Sequence, residues 1–408
     1  MTTNTHINLK KNTISYLSSN FFWNLGRTIP HAILTILLID LGLSLEKIAF
    51  LQIVYMIAVM LLEFPSGIMS DYWSRKGMFI ISIILILISY FIIYVSEGNF
   101  YLLMISWFLY GTSTAAKSGS LESELVNQIN KENKSIKKFS VWDSYLLSIS
   151  SSIGAIIGSL FYERIHQNIY LISFILFFLS IIFSSIFSIK KEKVQTKKIK
   201  KKPFSFKDIK KDILYFSRNS VLTEIIILFT LLSLFLQPFF QYWQVLYENK
   251  HISITYFGYV YFIFQICNII GTYLFETITY KRNISYIILG IISISSLITL
   301  TFLEGITFFI AFPIILCTYY IYYQYLLVEL RENSPEDSIS TLNSLIGTMM
   351  NISSIIVLLI ISVILKYFSI ETMYNSLFLA FSVLSISILI LNTKKMPIKQ
   401  KNTKTSNI

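Results

Sequence analysis

Long apolar runs alternate with short polar joints along this chain. The runs fall at 14–39, 48–66, 78–96, 100–122, 140–162 and 168–189, then at 219–244, 253–277, 284–303, 306–329, 339–365 and 374–391. Each is near the roughly 17–25 residues that carry a helix across a bilayer, and in hydrocarbon a helix is the economical way to satisfy every backbone N–H and C=O. The pattern predicts an all-α integral membrane protein of 12 transmembrane helices in two six-helix, pseudo-symmetric bundles, residues 1–189 and 219–408. Residues 190–218 join them as a basic cytoplasmic linker. From Phe204 that linker mixes Phe206, Ile209 and Ile213 with Lys207, Lys210 and Lys211, a composition suited equally to a solvated tether and to a helix lying among headgroups.

Polar residues divide the runs further. The third, sixth, ninth and twelfth carry no charged or amide side chain in their central parts and can face lipid. The first, fourth, seventh and tenth carry Asn24, Arg27 and His31; Lys117 and Glu122; Glu224, Gln237 and Gln241; and Gln324 and Glu329. Such groups are costly in hydrocarbon, so these four helices are expected to turn toward a protein interior or a wet cavity. Asn24, Arg27, His31, Lys117, Gln237, Gln241, Tyr323 and Gln324 are therefore the candidate cavity residues. If Arg27 and Lys117 line one cavity, it favours an anionic group. The aromatic stretches FLQPFFQYWQVLY and CTYYIYYQYLLVE offer an amphipathic wall, although Tyr and Trp also collect at membrane interfaces. Glu63, Asp143 and Glu224 are the candidates for proton coupling, because a carboxylate in a low-dielectric site titrates at raised pH. Each lies near a cytoplasmic helix end rather than in mid-membrane.

Composition agrees with the membrane reading. The 408 residues are 54% hydrophobic and 14% charged, with mean hydropathy +0.64, where soluble domains carry about 25% charged residues. The net charge of +12 reports topology rather than nucleic-acid binding. Most Lys and Arg fall in the joints that would face the cytoplasm, 12 of them in residues 190–218, while Lys47, Arg164, Lys250 and Lys366 fall in the opposite loops. That bias places both termini in the cytoplasm of a multi-pass cell-membrane protein. Cys267 and Cys317 both lie in apolar runs, which argues against a disulfide framework or a cysteine metal site. No phosphate-binding Gly-Lys-Ser/Thr loop, carbonyl filter or catalytically spaced carboxylate pair appears, so neither an enzyme nor an ion channel is expected, and no cofactor.

Between the second and third runs stands EFPSGIMSDYWSRKG, residues 63–77. It resembles the signature loop between helices 2 and 3 of the major facilitator superfamily, with Gly67, Asp71, Arg75 and Lys76 on the pattern and Tyr72 and Ser74 departing from it. A weaker echo follows the eighth run, where Gly271, Glu276, Lys281 and Arg282 stand in the corresponding places. The resemblance implies two bundles rocking about a central site, with helices 1, 4, 7 and 10 around it. It also implies a cytoplasmic gate, in which Asp71 pairs across the bundle interface and Arg75 meets an acid at the inner end of helix 4, where Glu122 and Glu124 stand. Gly67 would let helices approach closely there. Gly154 and Gly158 are similar to the glycine-rich helix 5 of drug and proton antiporters, without its proline. The expected activity is secondary transport, with proton-coupled export of a small amphipathic compound first and symport or facilitation of an organic anion second. The expected partners are the substrate, protons and lipid, with the chain working as a monomer.

Overall fold

The computed structural model describes residues 8–118, 120–188, 220–277, 282–333 and 339–399. They are built from α-helices: α1 Leu9–His31, α2 Leu34–Asp40, α3 Leu45–Tyr72, α4 Arg75–Val95, α5 Phe100–Lys117, α6 Leu121–Lys131, α7 Ile136–Ile165, α8 Ile169–Ile186, α9 Ser220–Asn249, α10 Phe257–Thr277, α11 Arg282–Phe302, α12 Gly305–Glu332, α13 Ile339–Tyr367 and α14 Ile370–Lys399. Among the described residues, 8 helical stretches are long and apolar enough to cross a membrane, or 9 if the bent pair α1 and α2 counts as one. One of the eight, Lys138–Ile186, runs through both α7 and α8. The protein is an all-α, multi-pass membrane bundle. The expected linker at 190–218 lies outside the described residues.

Two sequence expectations change. The first apolar run is broken: α1 and α2 meet at 46°. Pro30 ends the first segment, because it has no N–H for the Gly26 carbonyl and its ring crowds the preceding turn. The fourth run stops at Lys117, five residues before its expected end. Ser118 and Ser120 lie outside the helices, and Glu122 and Glu124 fall on the separate polar helix α6.

The chain forms two compact units, Met1–Pro203 with Ile252–Gln265, and Phe204–His251 with Ile266–Ile408. In the first, α1 packs on α7 and α8, and α5 on α3 and α4. Small side chains permit this. Gly154 and Gly158 lay α7 on α1 so closely that a Cβ at Gly158 would sit 2.0 Å from the Ile29 carbonyl oxygen. Serine pairs lock two further seams. Ser19 and Ser180 each donate to the other's carbonyl, at 2.7 and 2.8 Å, joining α1 to α8. Ser89 and Ser106 do the same between α4 and α5, at 3.0 and 2.9 Å. With no hydrophobic drive between helices in lipid, close backbone approach and interhelical hydrogen bonds supply the association. In the second unit, α9 packs on α12, α13 and α14, and α11 on α12 and α14. Stacked rings, including Phe239 on Phe312 at 4.6 Å and Phe235 against Phe378 at 5.0 Å, fill its interior.

Candidate functional site

A cavity of about 300 Å³ opens inside the first unit, at the lower end of the range for small-molecule sites. Trp23, Asn24 and Arg27 line it from α1, Lys117 from α5 and Glu122 from α6, with Phe79 and Leu147 as apolar wall. On α1 the spacing of Tyr16, Asn20, Asn24 and Arg27 by four, four and three residues puts all of them on one helical face. A polar string runs along that face. Asn24 donates to Asn20 Oδ1 (3.4 Å), Asn20 to Asp143 Oδ1 (2.9 Å), and Tyr16 to Asp143 Oδ2 (3.4 Å). The break after α5 shapes the cavity too, since Ser118 and Ser120 line it where a continuous helix would have filled the space.

Arg27 and Lys117 share this cavity and one ring. Lys117 Nζ stands 3.7 Å from the centroid of Trp23, and Arg27 Cζ 5.4 Å from the same ring. The two charges are thus at most ~9 Å apart, a repulsion of about 2 kcal/mol at an effective dielectric of ~20. The indole face repays part of that. Neither cation makes an ion pair among the described residues. The phenols of Tyr110, Tyr55, Tyr261 and Tyr90 are within electrostatic reach of Arg27, and Tyr90 donates to the Arg27 carbonyl at 3.0 Å. Asp143 and Glu122 are within reach of Lys117. Burial, and then the Asp143 charge, push the Glu122 carboxyl above the ordinary carboxylate range, against the pull of Lys117.

The joint at 63–77 separates the two α6 acids. Arg75 pairs with Glu124 at 3.3 Å, while Glu122 faces the cavity. Glu124 also accepts from Gln128, which in turn accepts from Asn12 on α1. Lys76 caps the end of α8, donating to the carbonyls of Ser185 (2.7 Å) and Phe187 (2.9 Å). Asp71 lies in the last turn of α3, and its side chain is outside the described residues, as is Lys281 of the echo. A Cβ at Gly67 would meet nothing within 4 Å, so the expected close approach is not made at Gly67 among the described residues. It is made by Gly154 and Gly158 instead.

The other candidates are dispersed. His31 ends α1, one turn beyond Arg27. Glu63 is exposed on α3, and Glu224 is half-buried on α9. In the second unit Gln237 donates to Ser354 Oγ (2.7 Å) and Gln324 to Thr272 Oγ1 (3.3 Å). Tyr323 stacks on Tyr319 and meets Phe229 edge-on, and Gln241 is half-buried on α9. Tyr16, Asn20 and Trp23 were not among the sequence candidates. The four-residue spacing of two asparagines ahead of Arg27 was the available signal for Asn20; nothing in the sequence distinguished Trp23 from an interfacial aromatic.

The family model described as Major Facilitator Superfamily matches residues 16–330. The chain belongs to the major facilitator superfamily. Solved transporter structures agree in fold. The crystal structure of the nucleoside transporter NupG is 15% identical at TM-score 0.67, over 94% of this chain and 98% of that one. A bacterial homologue of the iron transporter ferroportin, in an inward-facing state, is 13% identical at TM-score 0.71, over 94% and 100%. A POT family transporter in complex with 5-aminolevulinic acid is 13% identical at TM-score 0.69, over 94% and 96%. Among curated protein sequences, none matches. The fold of this superfamily member is a transporter's, not an enzyme's, and no group of His, Cys, Asp or Glu among the described residues is arranged to hold a metal.

Proposed function

We propose that this chain is a secondary active transporter that exports a small amphipathic compound by alternating access, driven by proton entry. Its helices form twelve spans in two six-helix bundles, 1–189 and 219–408, with both termini and the 190–218 linker on the cytoplasmic side. The observation that carries the reading is the cavity in the first unit, where Arg27 of α1 and Lys117 of α5 face one space with Glu122 of the polar helix α6. Groups so costly to keep in a membrane mark a pathway for a substrate or a proton. The Arg75–Glu124 pair at 3.3 Å supports the gate role of the joint, with Asp71 as its second member. Opening toward the cytoplasm would break such contacts and shift a two-state equilibrium. The structural neighbours include a nucleoside transporter and a homologue of an iron transporter, cargoes too unlike each other to select one here.

The test is transport by the purified chain in liposomes of defined orientation, with an imposed pH gradient and with a protonophore, over cationic, neutral and anionic compounds. Accumulation that follows the gradient and collapses with the protonophore supports coupled transport. Equilibration indifferent to the gradient would instead make the chain a facilitator.

A further inference from the structure

The cavity holds hydrogen-bond donors without acceptors, and they converge on one ring. Trp23 is 2% exposed and lines the cavity, yet its Nε1 has no hydrogen-bond partner among the described residues. Arg27 Nε, also buried, has none. The Lys117 ammonium rests on the face of the same indole, which attracts it but accepts no proton. Native proteins rarely leave buried donors unmet, and each such group costs its full desolvation. Two buried donors without acceptors and an ammonium resting on a ring, around one space, mark a place for an acceptor that the described residues do not supply.

We propose that Trp23 Nε1, Arg27 and Lys117 form a binding site for a carboxylate-bearing small molecule, held entirely within the first unit. This deepens the transport reading by naming the substrate's charge, and it rests on that reading only for the step that follows binding. The charges nearby fit a carboxylate. Asp143 accepts from Asn20 and Tyr16 and makes no ion pair with either cation among the described residues. Glu122 lines the cavity from α6, and the seat for an anion is at the two cations on the Trp23 ring. Guanidinium offers a planar fork suited to two carboxylate oxygens, and an ammonium adds a point charge. Phe79 and Leu147 give an apolar wall for the rest of the ligand. A space of about 300 Å³ equals the bulk-liquid volume of about ten waters, enough for a small aromatic or aliphatic acid.

The experiment is equilibrium dialysis of the full-length protein in lipid nanodiscs against radiolabelled acetate, hexanoate and benzoate, with benzamide and benzylamine as neutral and cationic counterparts of benzoate. At least one acid is expected to bind saturably and to be displaced by unlabelled acid but by neither counterpart. Trp23→Phe keeps a ring beneath Lys117 and removes only the donor, so it should weaken that binding tenfold or more. Arg27→Gln should abolish it. Lys117→Gln should weaken it and reduce its sensitivity to salt. Each variant is checked by size exclusion and melting, and Trp23→Phe, the smallest change, decides if the others fail to fold. Equal binding of benzoate and benzamide, no saturable binding of any acid, or unchanged affinity in Trp23→Phe would overturn the site. Because binding is read without a gradient, a carboxylate bound but not carried sinks the transport reading alone.

Discussion

The two units place the polar groups singled out in their apolar runs differently. In the first, the donors of α1 and α5 face an open cavity and several lack protein acceptors. In the second, two of the amides expected to line a cavity are tied to neighbouring helices, Gln237 to Ser354 and Gln324 to Thr272, and Tyr323 is absorbed into a stack of rings. The contrast shows that a polar residue on an apolar helix can serve either as interhelical glue or as site chemistry. Which it becomes depends on whether the facing helix supplies a partner. It also means that disturbing the first unit's helix seams should cost more than removing one amide tie in the second.

The largest effect is expected where α1 and α7 touch. Gly158→Ala would place its Cβ 2.0 Å from the Ile29 carbonyl oxygen, and backbone on backbone cannot yield by a rotamer change. The helices would have to part beside Arg27, at a cost of ~3 kcal/mol, the upper end for overpacking. Loss of monodisperse protein on size exclusion, or a melting temperature lowered by many degrees, is the expected result. Gly67→Ala is the control, since its Cβ meets nothing within 4 Å and alanine favours the helix by up to about 1 kcal/mol. If both variants melt alike, the seam is looser than its geometry.

Next comes a matched pair of amides. Asn20→Leu strips Asp143 of its 2.9 Å donor, and a hydrogen bond to a charged group is worth about 1.5–3 kcal/mol. Gln237→Leu removes a 2.7 Å bond to a neutral hydroxyl, worth about 1 kcal/mol. Chemical denaturation of the two variants in the same lipid should rank them in that order. A larger loss for Gln237→Leu would show that the neutral tie of the second unit holds its helices more firmly than the bond to Asp143 holds those of the first.

Much of this was legible in the chain because bilayer thickness imposes a length on every helix and hydrocarbon imposes a rule on every backbone group. The membrane class could be read from the runs and the superfamily from a loop motif; Arg27 and Lys117, joined only conditionally in the sequence, line one cavity, and Arg75 meets Glu124. Three features could not. The end of α5 at Lys117 falls inside what reads as one run, 100–122. The contact made by Gly154 and Gly158 required knowing which helix lies opposite. Trp23 resembles any interfacial aromatic until the two cations are seen on its ring. Single-sequence patterns report depth and face well, but partners across a seam only when a motif happens to name them.

The smallest predicted effect separates the two acids of α6. Glu124 is paired with Arg75, whereas the Glu122 carboxyl is pushed above its ordinary range by burial and by the Asp143 charge. A carboxyl raised in the folded state binds its proton more tightly there than in the unfolded chain. Its contribution is therefore fully present below the unfolded value, about 4.3, and is lost as pH rises through the raised folded value. Glu122→Gln stays neutral throughout, so its melting temperature should gain on the wild type as pH climbs above about 4.3 and then hold a constant lead. Glu124→Gln instead removes the 3.3 Å partner of Arg75 and serves as the control for a carboxylate lost from the same helix. Adding Lys117→Gln to the wild type should steepen the decline with pH, since Lys117 is the group that holds the Glu122 carboxyl down. Melting curves in one lipid from pH 4.5 to 8 read all three. Parallel profiles for wild type and Glu122→Gln would show that burial does not act on the Glu122 carboxyl, and would remove it from the chemistry of the cavity.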